Sequence, residues 1–179
     1  MIDNRNLTML TDFYEITMAN GYLESGMAED IAYFDMFFRE IPENGGFAIL
    51  GGIDEVISYL ENLKFTDEDI TYLRNKNMFS EAFLDYLKNF KFSCDVWAVP
   101  EGTAVFPGEP IITVRGPVVQ AQFVETMILL LVNHQSLIAT KANRIVRAAK
   151  GRPVMEFGSR RAQGPSAAIL VDAPVRHVQ

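Results

Sequence analysis

The 179 residues include one cysteine, one tryptophan and two histidines. The lone Cys94 excludes an internal disulfide and fits a reducing compartment, so a cytoplasmic location is expected. His134 has no second histidine or carboxylate at ligand spacing, which leaves it as a packing residue rather than a metal ligand. No glycine-rich Walker or dinucleotide loop is present, so no self-contained nucleotide site is expected. Long runs of like charge are missing, and the formal net charge of -7 excludes a nonspecific nucleic-acid surface. It leaves room for a local basic pocket. The opening Met1-Ile2-Asp3-Asn4-Arg5-Asn6 has no basic-then-apolar profile of a secretory signal. The most apolar segment, Met127 to Val132, is too short to span a bilayer and is flanked by Glu125 and His134.

Hydrophobic residues make up 49% of the chain and charged residues 22%, enough for a real core in one domain or one and a half. Apolar spacing predicts helices over Leu7–Leu23, Gly51–Leu63 and Ser80–Phe90. Thr8 or Thr11 can cap the first, and Thr66-Asp67-Glu68-Asp69 reads as another helix start with acids in the first turn. Ile31 to Phe38 is rich in aromatics and reads as a strand. Past Cys94 come three short strand signals, Asp95–Val99, Ala104–Phe106 and Ile111–Val114. They are punctuated by Pro100-Glu101-Gly102 and Pro107-Gly108-Glu109-Pro110, as in a small β layer or half-barrel. Pro117 opens a helical stretch from Val118 to Lys150, expected as two helices broken near Asn133. Gly151-Arg152-Pro153 ends it, and Val154–Phe157 is predicted as a strand.

Chemistry concentrates in Glu156-Phe157-Gly158-Ser159-Arg160-Arg161-Ala162-Gln163-Gly164-Pro165. Two adjacent guanidinium groups can grip a carboxylate or phosphate bidentately. Three further stretches accompany it. They are Thr11 to Met18; Pro100-Glu101-Gly102 with Phe106 to Pro110; and Glu125-Thr126 through Ala139-Thr140-Lys141-Ala142. In this order and spacing they resemble the N-terminal part of nicotinate phosphoribosyltransferases, from about Leu10 to Ala168.

The resemblance implies an enzyme that joins nicotinate to phosphoribosyl pyrophosphate, giving nicotinate mononucleotide for NAD biosynthesis. It implies coupling to ATP with magnesium through a phosphorylated histidine. It also implies a homodimer whose pockets are shared between subunits. By motif position, Tyr14 and Phe157 sandwich the pyridine ring from two subunits, Arg160 faces the ring substituent, and Arg161 makes an anion or dimer contact. In an extended strand Phe157 and Arg160 point to opposite faces, so a bend at Gly158 is required for both to grip one ligand.

Read without the resemblance, Phe13, Tyr14 and Phe157 are core residues, the arginine pair is a solvated surface pair, and Asp12 is a helix cap. Two rival functions stay open: a nicotinamide-using relative, and a non-catalytic binding module built on strands 94–116. A carrier module would need an exposed lysine at a hairpin tip, which Pro100-Glu101-Gly102 and Pro107-Gly108 lack.

The expected fold is an α+β domain over residues 1–116, with helices and the first strand of an incomplete α/β barrel over 117–168. Residues 169–179 form an atypical tail, expected from a frame break near Ala168. The family's histidine motif would lie beyond the chain, and His177 stands outside it. The isolated chain is therefore expected to be inactive.

Overall fold

The computed structural model describes residues 6–169. The tail expected over 169–179 and His177 therefore fall outside the described residues, except for Ile169. Four α-helices belong to the N-terminal half. The first, α1 (Phe13–Glu24), starts later than its apolar spacing predicts, because Thr8 to Asp12 is spent on turns and the approach to the helix. Helix α2 (Ile53–Asn62) buries Ile53, Val56 and Tyr59. Helices α3 (Asp67–Asn75) and α4 (Glu81–Lys88) pack as a hairpin around the fully buried Leu73, Phe83 and Leu84. Thr66 and Asp69 cap α3 reciprocally, and the Ser80 hydroxyl accepts from the Phe83 amide at 3.3 Å to start α4.

The β layer is small and entirely antiparallel. Strands β1 (Ile31–Met36), β3 (Asp95–Ala98) and β5 (Ile112–Pro117) form one sheet with β5 in the centre. Met36 lies opposite Ile112, and both Phe34 and Val96 lie opposite Val114, so these apolar side chains share one face. The opposite face is polar and aromatic: Arg115 reaches Tyr33 Oη at 2.8 Å and Asp95 at 2.9 Å. A second, two-stranded sheet pairs β2 (Ala48–Ile49) with β4 (Ala104–Val105).

Pro117 caps α5 (Val118–Phe123), and α6 (Glu125–Ala149) follows after a break at Val124. The expected break near Asn133 is not there. Asn133 sits exposed in the middle of α6, where an asparagine costs a helix only a few tenths of a kcal/mol. The 32-residue stretch from Val118 to Ala149 is long and apolar enough to cross a membrane, contrary to the reading from Met127–Val132 alone. Here it is a core element: 56% of its apolar window is buried, against β2 and α2 among others.

Backbone approaches backbone where α6 meets the loop after β2. The Ile49 amide donates to Thr140 Oγ1 at 2.8 Å and the Gly51 amide to Ser136 Oγ at 3.1 Å, so helix hydroxyls serve the loop's donors. Gly52 has φ 98°, and a β-carbon added there would lie 2.9 Å from the Leu131 carbonyl oxygen. The Glu101 carboxylate then accepts from the Gly52 and Ile53 amides at 2.5 and 2.7 Å, capping α2 from another loop.

One expected element is absent. Val154 to Phe157 is not a strand. A strand is completed by its pairing, and none of the described strands pairs with this segment. The bend required at Gly158 is present as a 3-10 turn over Gly158–Arg161. It closes without left-handed backbone at Gly158; the Glu156 carboxylate accepts from the Gly158 amide and holds the turn.

Candidate functional site

Tyr14 lies in the first turn of α1 with 44% of its surface exposed, so it is no core residue. It lines a cleft of about 510 Å³ between α1, the end of β1 and the start of α6. Phe37, Leu129 and Leu130 supply the apolar wall, while Asp12, Glu40, Glu125 and Arg39 supply charge. The volume is ample for a single aromatic ring with a substituent. The Tyr14 phenol is within hydrogen-bonding reach of Glu125. Burial and that carboxylate together push its pKa up to about 12. It therefore stays a neutral donor across the physiological range.

The first turn of α1 is tied to the first turn of α6. Glu15, fully buried, accepts from the Thr126 amide at 3.0 Å and from its hydroxyl at 2.7 Å, and the Thr11 hydroxyl also donates to it. Burial raises the Glu15 pKa against the lowering effect of these donors. Asp12 stands at the N-cap position, as one reading expected, yet its side chain makes no capping bond. Its amide donates instead to Thr126 Oγ1 at 3.2 Å. Phe13, expected in the core, is 47% exposed and meets Phe79 edge-on at 6.0 Å.

At the other end of the chain, Phe157 is 67% exposed, and Arg160 and Arg161 are exposed too. Arg160 Nη1 donates to the Phe157 carbonyl at 3.1 Å, so the turn brings that guanidinium back to residue 157. The turn residues do not line the Tyr14 cleft. One chain thus presents two separate surfaces bearing the motif residues. The cleft's own charge is mostly negative, three carboxylates (Asp12, Glu40, Glu125) against Arg39. An anionic ligand would draw most of its positive charge from elsewhere.

Two remaining expectations concern Cys94 and His134. Cys94 is half-buried and its thiol is pushed up to about 11 by burial, consistent with an inert residue. His134 is only partly buried, and its Nδ1 has no partner among the described residues, so it is not a satisfied packing histidine. No group of three His, Cys, Asp or Glu side chains converges among the described residues.

Reading the sequence missed Glu15, Arg39, Thr126 and the capping role of Glu101. For Glu15 a signal existed: an acid at the position that α1 turns toward its apolar neighbours. Thr126 lies in a motif stretch, but nothing local marks its role, because its partner lies 111 residues away.

Residues 9–133 match the family model for the nicotinate phosphoribosyltransferase N-terminal domain. The chain belongs to the nicotinate phosphoribosyltransferase family. It is 44% identical over 163 residues to the nicotinate phosphoribosyltransferase pncB2 of Mycobacterium tuberculosis, covering 91% of this chain and 35% of that protein. The nicotinate phosphoribosyltransferase of Bacillus subtilis is 43% identical over 164 residues, with 92% and 34% covered. Among solved structures, human nicotinic acid phosphoribosyltransferase superposes with a TM-score of 0.86 at 37% identity, over 94% of this chain and 34% of that one. A nicotinate-nucleotide pyrophosphorylase from Pyrococcus furiosus follows with a TM-score of 0.72 at 26% identity, over 97% of this chain and 38% of that one. The chain therefore spans about a third of the length of the curated relatives it matches. The mixed helical and small-sheet fold is that of the family's N-terminal region.

Proposed function

We propose that this chain contributes the pyridine-binding surfaces of a nicotinate phosphoribosyltransferase, which joins nicotinate to phosphoribosyl pyrophosphate. Membership of the family over nine-tenths of the chain carries the reading, together with an exposed tyrosine ring on a cleft wall. Tyr14 offers one face to the flat ring. Phe157 of a second copy offers the other, and Arg160, with Arg161 beside it, holds the carboxylate. Each stacking contact contributes on the order of 0.5–1.5 kcal/mol beyond burial, and the guanidinium adds charge-assisted hydrogen bonds. The separation of the Tyr14 cleft from the Phe157 turn supports a pocket completed by two subunits. The 117–168 segment then delivers the turn to the neighbour as the opening of a barrel domain.

In the reaction the pyridine nitrogen lone pair forms a bond to the anomeric carbon of the ribose. The carbon–oxygen bond to pyrophosphate breaks, and pyrophosphate leaves with that electron pair. The sugar is cationic at the transition state, so holding the ring nitrogen in line and stabilising charge do most of the catalysis. ATP with magnesium would supply coupling energy. Among the described residues no group of three His, Cys, Asp or Glu side chains is placed to hold the magnesium. A cytoplasmic homodimer completes the reading.

A nicotinamide-using relative is the second reading, favoured by one observation: the carboxylates around Tyr14 suit a neutral amide better than an anion. The paired arginines decide against it. Calorimetry on the purified chain tests the choice. Nicotinate should bind more tightly than nicotinamide, and Arg160→Ala should erase the difference. Equal affinities, or no binding of either, would overturn the reading.

A further inference from the structure

Helix α6 begins without a local cap. Val124 at its N-cap position carries no acceptor, so the first amides of the helix need a partner from outside. Glu15 supplies it from α1, through the bonds to the Thr126 amide and hydroxyl already described. A carboxylate also suits the positive end of the helix dipole. The Thr126 hydroxyl donates to Glu15 and accepts from the Asp12 amide at once. Tyr14 lies between these two anchors in sequence, and its phenol faces Glu125, the residue before Thr126.

A serine or aspartate at position 124 could give at most a local cap, and Val124 sits at φ -90° and ψ 0°, not in the extended backbone that capping residues take. A cap reaching across from α1 does something more, since it fixes the first turn of one helix against the first turn of the other. The residue held there is the one whose ring forms the cleft wall.

We propose that Glu15 and Thr126 form a positioning clasp for Tyr14, setting its ring against the start of α6 with one face open to a flat heterocyclic ligand. The proposal rests on the reading of Tyr14 as a stacking platform. Glu15 and Thr126 do not touch the ligand; they act through the tyrosine.

The test uses the 179-residue chain with ring-labelled tyrosine, Tyr14 being assigned by its loss in Tyr14→Phe. Thr126→Val removes the hydroxyl and keeps the shape, while Thr126→Ser restores it. In Thr126→Val the Tyr14 ring resonances should move and its titration midpoint should fall by about one unit toward that of a free phenol. Nicotinate affinity, read by calorimetry, should weaken about tenfold, the worth of roughly one hydrogen bond. Thr126→Ser should behave as the parent in both, and the buried Tyr59 should not change in any variant. A variant that only loosened the fold would shift Tyr59 as well. Thr126→Ala, read in the same way, decides the matter if the valine variant does not fold.

Unchanged Tyr14 resonances and affinity in a folded Thr126→Val chain overturn the clasp. Tyr14→Ala separates the two claims. If it leaves nicotinate affinity intact, the platform reading fails, and the Tyr14 titration alone then decides whether the clasp exists.

Discussion

The two ends of the chain carry the same family signature but hold it in opposite ways. Around Tyr14, the Glu15 carboxylate and the Asp12 amide both find a partner on α6, and Glu15 is sealed from solvent. Around Phe157, Met155 is 71% exposed, and two local bonds hold the turn, from the Gly158 amide to Glu156 and from Arg160 to the Phe157 carbonyl. A site residue can thus be built by packing, or it can be offered outward on a turn. The first kind should tolerate little change nearby. The second should matter to binding and hardly at all to stability.

Two glycines give the widest contrast. Gly52→Ala puts a side chain at φ 98° and within 2.9 Å of the Leu131 carbonyl oxygen, a backbone atom that cannot swing away. Strain and overpacking together should cost about 3 kcal/mol, read as a fall in the urea midpoint. Gly158→Ala should cost under about 0.5 kcal/mol, because the new methyl meets only the end of the flexible Glu156 side chain. Equal losses at the two positions would erase the distinction between the regions.

The next effect in size is the borrowed cap. Glu101→Ala leaves the Gly52 and Ile53 amides without their acceptor and should destabilise by about 1–2 kcal/mol. Phe157→Ala is its counterpart on the turn. It should leave the midpoint unchanged within about 0.5 kcal/mol while removing nicotinate binding contributed by a second copy. A large stability loss at Phe157 would mean that the ring is packed rather than presented.

Much of this architecture can be read from sequence where the signal is local. The helices after Gly51 and Ser80 and the start at Thr66 carry their apolar spacing locally, and the last two carry their caps within three residues as well. Strand β2 was not legible, since two residues become a strand only through a partner more than fifty positions away. The break before α6 was sought at Asn133, a residue of weak helix preference, yet it falls at Val124, where a distant carboxylate takes over the cap. Val154–Phe157 failed for the reverse reason: β-branched and aromatic residues favour a strand, but none of the described strands pairs with it. For the candidate site, the motif drew attention to Tyr14, which the fold leaves exposed on a cleft, and geometry called for the bend found at Gly158. The clasp was not, because its bond joins residues 111 apart in sequence.

Acid–base behaviour sharpens the comparison with smaller effects. Glu15 has its pKa raised above the ordinary 4.5, so the folded chain holds this proton more tightly than the unfolded one. The stability so gained is present in full below about pH 4.5 and is lost as pH rises through the raised value. Glu15→Gln should flatten this part of the stability profile, measured as urea midpoints from pH 4 to pH 8. No change in slope would mean that the carboxylate is not the titrating group.

The smallest expected signal is at Cys94. Its thiol, pushed up to about 11 by burial, carries almost no thiolate at pH 8. Alkylation by iodoacetamide should therefore run at least about tenfold slower than in the urea-unfolded chain. The contact behind that burial is specific, because a β-carbon at Gly116 would fall 2.4 Å from the Cys94 sulfur. Gly116→Ala should push the thiol outward from the sheet and speed its reaction toward the unfolded rate. An unchanged rate in that variant would show that the β3–β5 edge gives way elsewhere, and that the packed half of the molecule is softer at its rim than around Tyr14.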